Sequence, residues 1–168
     1  MAVEKPAHTF IRLRYPHMGP EEARIWTEFL RKTDMKFIRI DYDVRVGTGY
    51  VPKYLIDQLE YYKRMARINR KFQKDLELTR AIIKSVSSLT KLRIDAVGET
   101  NNEIWIFEVK PRAGRSALGQ VEAYGYWYVK QFKPRKVVKL AIVCRDVDPN
   151  LVPIFEARGI YVFNVSKM

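Results

Sequence analysis

Residues 92–110 read Leu92-Arg93-Ile94-Asp95-Ala96-Val97-Gly98-Glu99-Thr100-Asn101-Asn102-Glu103-Ile104-Trp105-Ile106-Phe107-Glu108-Val109-Lys110. Two apolar runs, 91–97 and 103–110, flank a Gly-Glu-Thr-Asn-Asn turn signal, so this stretch predicts a β-hairpin. A turn centred between Thr100 and Asn101 sets Asp95 opposite Ile106. Glu108 then lies two positions further along the same face, a diagonal neighbour at ~7–8 Å. Lys110 shares that face because strand side chains alternate, while Trp105, Phe107 and Val109 fill the other. Two carboxylates and a lysine therefore converge at one end of a strongly apolar hairpin.

Outward from the hairpin, the chain alternates helices and strands. Pro20 followed by Glu21 and Glu22 marks a helix start, and Ala23, Trp26, Phe29 and Leu30 recur at helical spacing to about Lys32. Residues 38–46 alternate Ile38, Ile40, Tyr42, Val44 and Val46 with polar residues, which predicts a strand with one apolar face. Gly47-Thr48-Gly49 ends it. Residues 51–90 read as a helical excursion. Their apolar stripe changes phase at the polar stretch Arg67–Lys71, so two helices or one sharply bent helix are expected. After the hairpin, Ser116 is placed to cap a helix carrying Leu118, Val121, Tyr124 and Tyr128. The run 137–144 (VVKLAIVC) predicts a strand buried on both faces. A short helix near 150–158 and a strand at 160–165 complete the chain, and residues 1–18 read as an arm or one short strand.

Two carboxylates suit Mg²⁺, which keeps several waters and needs only one or two protein acids; Mn²⁺ is the natural substitute. Such an ion lowers the pKa of a bound water and polarises a phosphate. Lys110 would hold the water or neutralise charge growing on the phosphate. Gln120 and Tyr124 stand one helical turn apart and can both face this edge, Gln120 toward water or phosphate and Tyr124 toward a base or sugar. Arg112 and Arg115, in the preceding loop, are placed for phosphate contacts. Other candidates are poorer. Asp41 and Asp43 share a strand face, His8 and His17 lack a ligand set, and Gly47-Thr48-Gly49 lacks the lysine of a phosphate loop.

Asp95, Glu108-Val109-Lys110 and Gln120-x-x-x-Tyr124 resemble the PD-(D/E)xK nuclease superfamily, the Gln-x-x-x-Tyr element its RecB-like branch. The resemblance covers roughly residues 20–145. It implies an α/β, restriction-endonuclease-like αβββαβ core with a mixed central sheet, residues 51–90 being inserted between the first two core strands. It implies catalytic roles for Asp95, Glu108, Lys110, Gln120 and Tyr124, and a metal held by Asp95, Glu108, Val109 and an acid from the first helix. Glu22 is the best-placed match for that acid, with Glu21 and Glu28 as alternatives. Ile94 stands where many members carry proline, and no four-cysteine iron–sulfur set accompanies the motif.

Composition bounds the function. The 168 residues carry 31 Lys+Arg against 19 Asp+Glu, a formal charge of +12, which favours a polyanionic partner. From Lys53 to Arg93 there are eleven basic residues against four acidic ones, a local surplus of seven and more than half of the total. Arg64, Arg67, Arg70, Lys71 and Lys74 crowd the presumed bend as a candidate nucleic-acid arm; a solvated helical face is the plain alternative. Cys144 stands alone, so neither an internal disulfide nor a thiolate zinc cluster is expected. With no apolar window near ~18 residues and no secretory leader, a soluble cytoplasmic protein without membrane contact is expected. The expectation is one nuclease-like domain over residues 1–168, a Mg²⁺-dependent deoxyribonuclease acting on DNA. An RNA-directed nuclease and a catalytically silent DNA-binding or assembly module are the alternatives, and a homodimer is left open.

Overall fold

The computed structural model describes residues 2–168. Its helices are α1 (Pro20–Lys32), α2 (Lys53–Ile68), α3 (Gln73–Leu89), α4 (Arg115–Phe132) and α5 (Val152–Ala157). Its main strands are β1 (Arg39–Val46), β2 (Leu92–Glu99), β3 (Glu103–Val109), β4 (Val137–Cys144) and β5 (Ile160–Asn164). These five form one sheet in the order β1-β2-β3-β4-β5. The β2–β3 pair is antiparallel, whereas β3, β4 and β5 run parallel, so the fold is α/β with a mixed central sheet. The parallel pairs are joined by α4 and α5, as parallel strands require. Two short pairings, Lys5–Pro6 with Lys36–Phe37 and Arg112–Ala113 with Asp146–Val147, tie loops down at the periphery.

The sheet is covered on both faces. Against one lie Ile25, Trp26, Phe29 and Leu30 of α1, packed with Trp105, Phe107 and Val109 of β3 and Ala141 and Val143 of β4. Trp26 stacks on Phe29 at 5.2 Å and meets Phe107 at 5.1 Å, while its indole N–H donates to the Tyr42 hydroxyl. Against the other face lie Tyr124 and Tyr128 with Ile94, Ile104 and Ile106, and then Ala117, Val121 and Phe155 with Ile142. A Cβ on Gly98 would stand 2.5 Å from the Phe37 ring and 3.2 Å from Phe107. Gly98→Ala is therefore expected to cost about 1–3 kcal/mol by overpacking. Chemical denaturation should show this as a lower midpoint at an unchanged slope.

Three sequence expectations need correction here. The apolar face of β1 is split. Ile40 and Tyr42 pack on the α1 side, but Val44 and Val46 pack on the α4 side. The cause is Asp43, whose φ of +55° breaks the alternation between them. Strand β4 is fully buried only from Ala141 to Cys144, its first half being exposed to half-buried. Finally, α4 is capped by extended Gly114, whose carbonyl accepts the Leu118 amide, so Ser116 lies inside the first turn.

The chain forms two compact units, residues up to Val46 with Arg93–Met168, and Gly47–Leu92. The second is the expected helical excursion. It breaks at Asn69, whose backbone is extended and whose side chain accepts the Lys71 amide; a 3₁₀ turn at Arg70–Phe72 then leads into α3. Arg64, Arg67, Arg70, Lys71 and Lys74 are all exposed in this unit. Lys63, Arg67 and Arg80 line a cavity of about 410 Å³ between α2 and α3. Among the described residues no helix is long and apolar enough to cross a membrane.

Candidate active site

The hairpin register differs from the expected one and brings the two acids closer. Paired residues run from Glu99–Ile104 to Ala96–Phe107, so the turn is centred one residue later, between Asn101 and Asn102. The Thr100 hydroxyl sets this centre by accepting the Glu103 amide at 2.9 Å, while the Thr100 amide donates to the Glu103 carbonyl. A shift of two in the pairing keeps every side chain on its expected face. It also makes Asp95 the direct counterpart of Glu108 rather than its diagonal neighbour. Beyond Ala96 the regular pairing stops, and the Val109 amide donates to Asp95 Oδ2 at 2.8 Å. The Asp95 carboxylate thus occupies a place that a ladder carbonyl would otherwise fill.

Glu108 is fully buried and Asp95 nearly so. Neither oxygen of Glu108 has a hydrogen bond of good geometry among the described residues. Its charge is met by Lys110, whose Nζ lies 3.1 Å from Oε1. Lys110 is fixed by its own amide, which donates to the Val143 carbonyl at the end of β4. The same ammonium reaches Glu22 Oε1 at 3.2 Å, so it bridges an acid from α1 and an acid from β3. Glu22 Oε2 is occupied separately, accepting the Gly19 amide and capping α1. Among the described residues no three His, Cys, Asp or Glu side chains converge as a ready ion cage. A lysine stands between Glu22 and Glu108, leaving Asp95 and Glu108 as the acid pair.

Burial, then the charge of Glu108, pushes the Asp95 carboxyl up to about 8. Burial also raises Glu108, with Lys110 opposing. Burial works to lower Lys110, but Glu108 and Glu22 outweigh it and hold the ammonium above its ordinary range. Lys110 is thus a fixed positive charge at neutral pH rather than a base. The two acids are mutually repelling and poorly solvated, the arrangement that an oxygen-seeking divalent cation would relieve.

Gln120 and Tyr124 both face this cluster from α4, the Gln120 amide donating to the Tyr124 hydroxyl at 3.3 Å. Tyr124 corrects the expectation that it stacks on a base or sugar. Its ring is buried against the sheet, and its phenol sits near Glu108 and Asp95, where burial and their charge raise its pKa. It lines the wall behind the acids and is not a stacking platform. Gln120 remains half-exposed and free to meet a substrate. Arg112 and Arg115 do not lie in a loop: Arg112 is in a two-residue strand and Arg115 opens α4. Arg112 is tied to Asp146 at 3.4 Å and to Asp148 at 3.9 Å, whereas Arg115 is exposed. The alternative pair Asp41 and Asp43 does not form an ion site, since Arg93 holds both Asp43 oxygens at 2.6 and 2.8 Å.

No family model, curated protein or solved structure matches this chain. The site must be read from its own geometry. Sequence reasoning missed Arg93 as the partner of Asp43 and missed Arg145, which follows β4. Arg145 stands directly after the apolar run 137–144, at the carboxyl end of a parallel strand, where open α/β sheets place their functional groups.

The raised Asp95 gives a pH signature. Its proton is retained in the folded state but lost early in the unfolded one. The stability it contributes is full below about pH 4 and is lost as pH rises toward about 8. Asp43 and Glu99 shift the other way, each held below its ordinary value by Arg93 and Lys136 respectively. In EDTA the melting temperature should fall between pH 5 and pH 8, by on the order of a few kcal/mol of stability. Asp95→Asn should flatten that fall, and Mg²⁺ should restore stability at the alkaline end. Equal pH dependence in both proteins would show that Asp95 is ionised throughout.

Proposed function

We propose that this protein is a Mg²⁺-dependent nuclease of the PD-(D/E)xK kind, built on a restriction-endonuclease-like core with an inserted helical unit. The order α1-β1-β2-β3-α4-β4 and the mixed sheet support the fold. The observation that carries the function is Glu108, a fully buried carboxylate without directed donors, opposite Asp95 and beneath a lysine two residues on. A purely structural pair would be satisfied by hydrogen bonds or replaced by apolar residues at little cost.

The two acids fit a hard divalent ion. Asp95 and Glu108 would hold it, with Val109 fixing Asp95 through its amide, while Glu22 is engaged by Lys110 and the Gly19 amide. When bound, Mg²⁺ supplies Lewis-acid polarisation of the phosphate and makes a nearby water more acidic; Mn²⁺ would serve the same role. Lys110 offsets the charge that grows on the phosphate oxygens and orients the attacking water. Tyr124 shields the acids from solvent and accepts the Gln120 amide, and Gln120 stands half-exposed beside the site to meet the water or a phosphate oxygen. DNA is the proposed substrate, a choice that rests on likeness to the superfamily. A labelled panel of duplex, single strand, flap, four-way junction and RNA tests it, with Mg²⁺, Mn²⁺ or EDTA. Cleavage that needs a divalent ion supports the proposal. Binding to the panel without turnover favours a silent module, and cleavage of the RNA member alone favours an RNA-directed enzyme.

A further inference from the structure

Outside the carboxylate site, the first unit carries a groove of about 680 Å³ between α1 and the preceding arm. Its volume falls among ligand clefts of ~300–1,000 Å³. Its cations are Arg12, Arg24, Arg31, Lys32 and Arg145, and its single acid is Glu28. Glu28 is shared by Lys32 at 2.9 Å and Arg145 at 3.3 Å. Arg12 lies over the Tyr42 ring. Arg24 and Arg31, two turns apart on α1, are exposed and make no ion pair among the described residues. One acid against five cations leaves a surplus of positive charge that its own side chains do not offset.

Two further features define the ligand. The groove has an apolar wall, with Leu13 fully exposed beside Pro20 and Ala23. It is also tied to the acid cluster through Arg145, whose side chain lines the groove and whose amide donates to the carbonyl of Pro111, the neighbour of Lys110. Cations beside an apolar wall suit a strand whose phosphates and unstacked bases are both available. Intact duplex hides its bases and presents only a convex backbone.

We infer that this groove is the track for a single nucleic-acid strand leading to the Asp95–Glu108 cluster, its phosphates held by Arg24 and Arg31. The inference deepens the nuclease reading and rests on it for the strand's destination. It names the substrate form and the guiding residues, and it is independent of the second unit's basic helices.

The test is fluorescence anisotropy of the full chain in EDTA, where no turnover occurs, with a labelled single-stranded oligonucleotide and its duplex. Arg24→Gln/Arg31→Gln should weaken single-strand binding roughly tenfold or more and lower the salt slope by roughly 1.4, two phosphate contacts' worth. Glu28→Gln should tighten binding. Lys133→Gln/Arg135→Gln, which removes the same charge from the far end of α4, should change affinity little. Equal losses from both double variants would reduce the groove to general attraction and overturn the inference. Duplex bound as tightly and weakened as much would overturn the single-strand assignment. Because this readout is binding alone, loss of affinity without any cleavage by the wild type would sink the nuclease reading and leave the groove. Cleavage with unchanged affinity would do the reverse.

Discussion

Asp95→Ala and Glu108→Ala should each lower metal-dependent cleavage at least ~10³-fold while leaving nucleic-acid affinity intact or tighter. Removing either acid weakens capture of the cation and relieves repulsion against phosphate. The isosteric Asp95→Asn and Glu108→Gln should likewise lose cleavage yet melt no lower than the wild type at neutral pH, because each removes a buried acid whose ionised form the fold disfavours and keeps its volume. A structural role predicts the opposite pairing, lost stability with retained turnover. Lys110→Ala should lose turnover with metal affinity kept, since the ammonium contacts acids already in place and its proposed role is on the reacting phosphate. Single-turnover cleavage and calorimetric Mn²⁺ titration on the same preparations separate these outcomes.

The second large effect belongs to the helical unit. Neutralising Arg64, Arg67, Arg70, Lys71 and Lys74 together should flatten the dependence of log K on log salt by about 3.5–4.5, at ~0.7–0.9 per lost phosphate contact. Affinity should fall alike for every sequence, because phosphate contacts position without specifying. Cleavage should survive at low salt and high substrate. All five side chains are exposed, so the variant has little reason to misfold. An unchanged slope would mark them as an ordinary solvated face. Titrations at three salt concentrations decide.

Much of this arrangement was legible in the sequence where local rules act alone. Pro20 with Glu21 and Glu22 marked the first turn of α1, and the phase change at Arg67–Lys71 found the break that Asn69 makes. The Asp95, Glu108 and Lys110 face was readable because strand alternation survives a two-residue change of register. The register itself was not, because it turns on which carbonyl and hydroxyl of Thr100 and Glu103 pair across the turn. The split face of β1 was equally hidden, since nothing in an alternating run announces a positive φ at Asp43. Tyr124 was misread because helical spacing gives direction but not depth. Its neighbour Gln120 points the same way yet remains half-exposed. The groove on α1 escaped notice because Arg12, Arg24, Arg31 and Arg145 are scattered along the chain and meet only after folding.

The central claim is hydrolysis by water at the Asp95–Glu108 pair. It is tested most directly by single-turnover cleavage of a labelled strand in ¹⁸O-enriched water, with wild type and Glu108→Gln side by side. The prediction is cleavage by the wild type with Mg²⁺, one ¹⁸O in each new terminal phosphate, and silence in EDTA or with the variant. Cleavage that survives both EDTA and Glu108→Gln, or a product phosphate without the label, would contradict it.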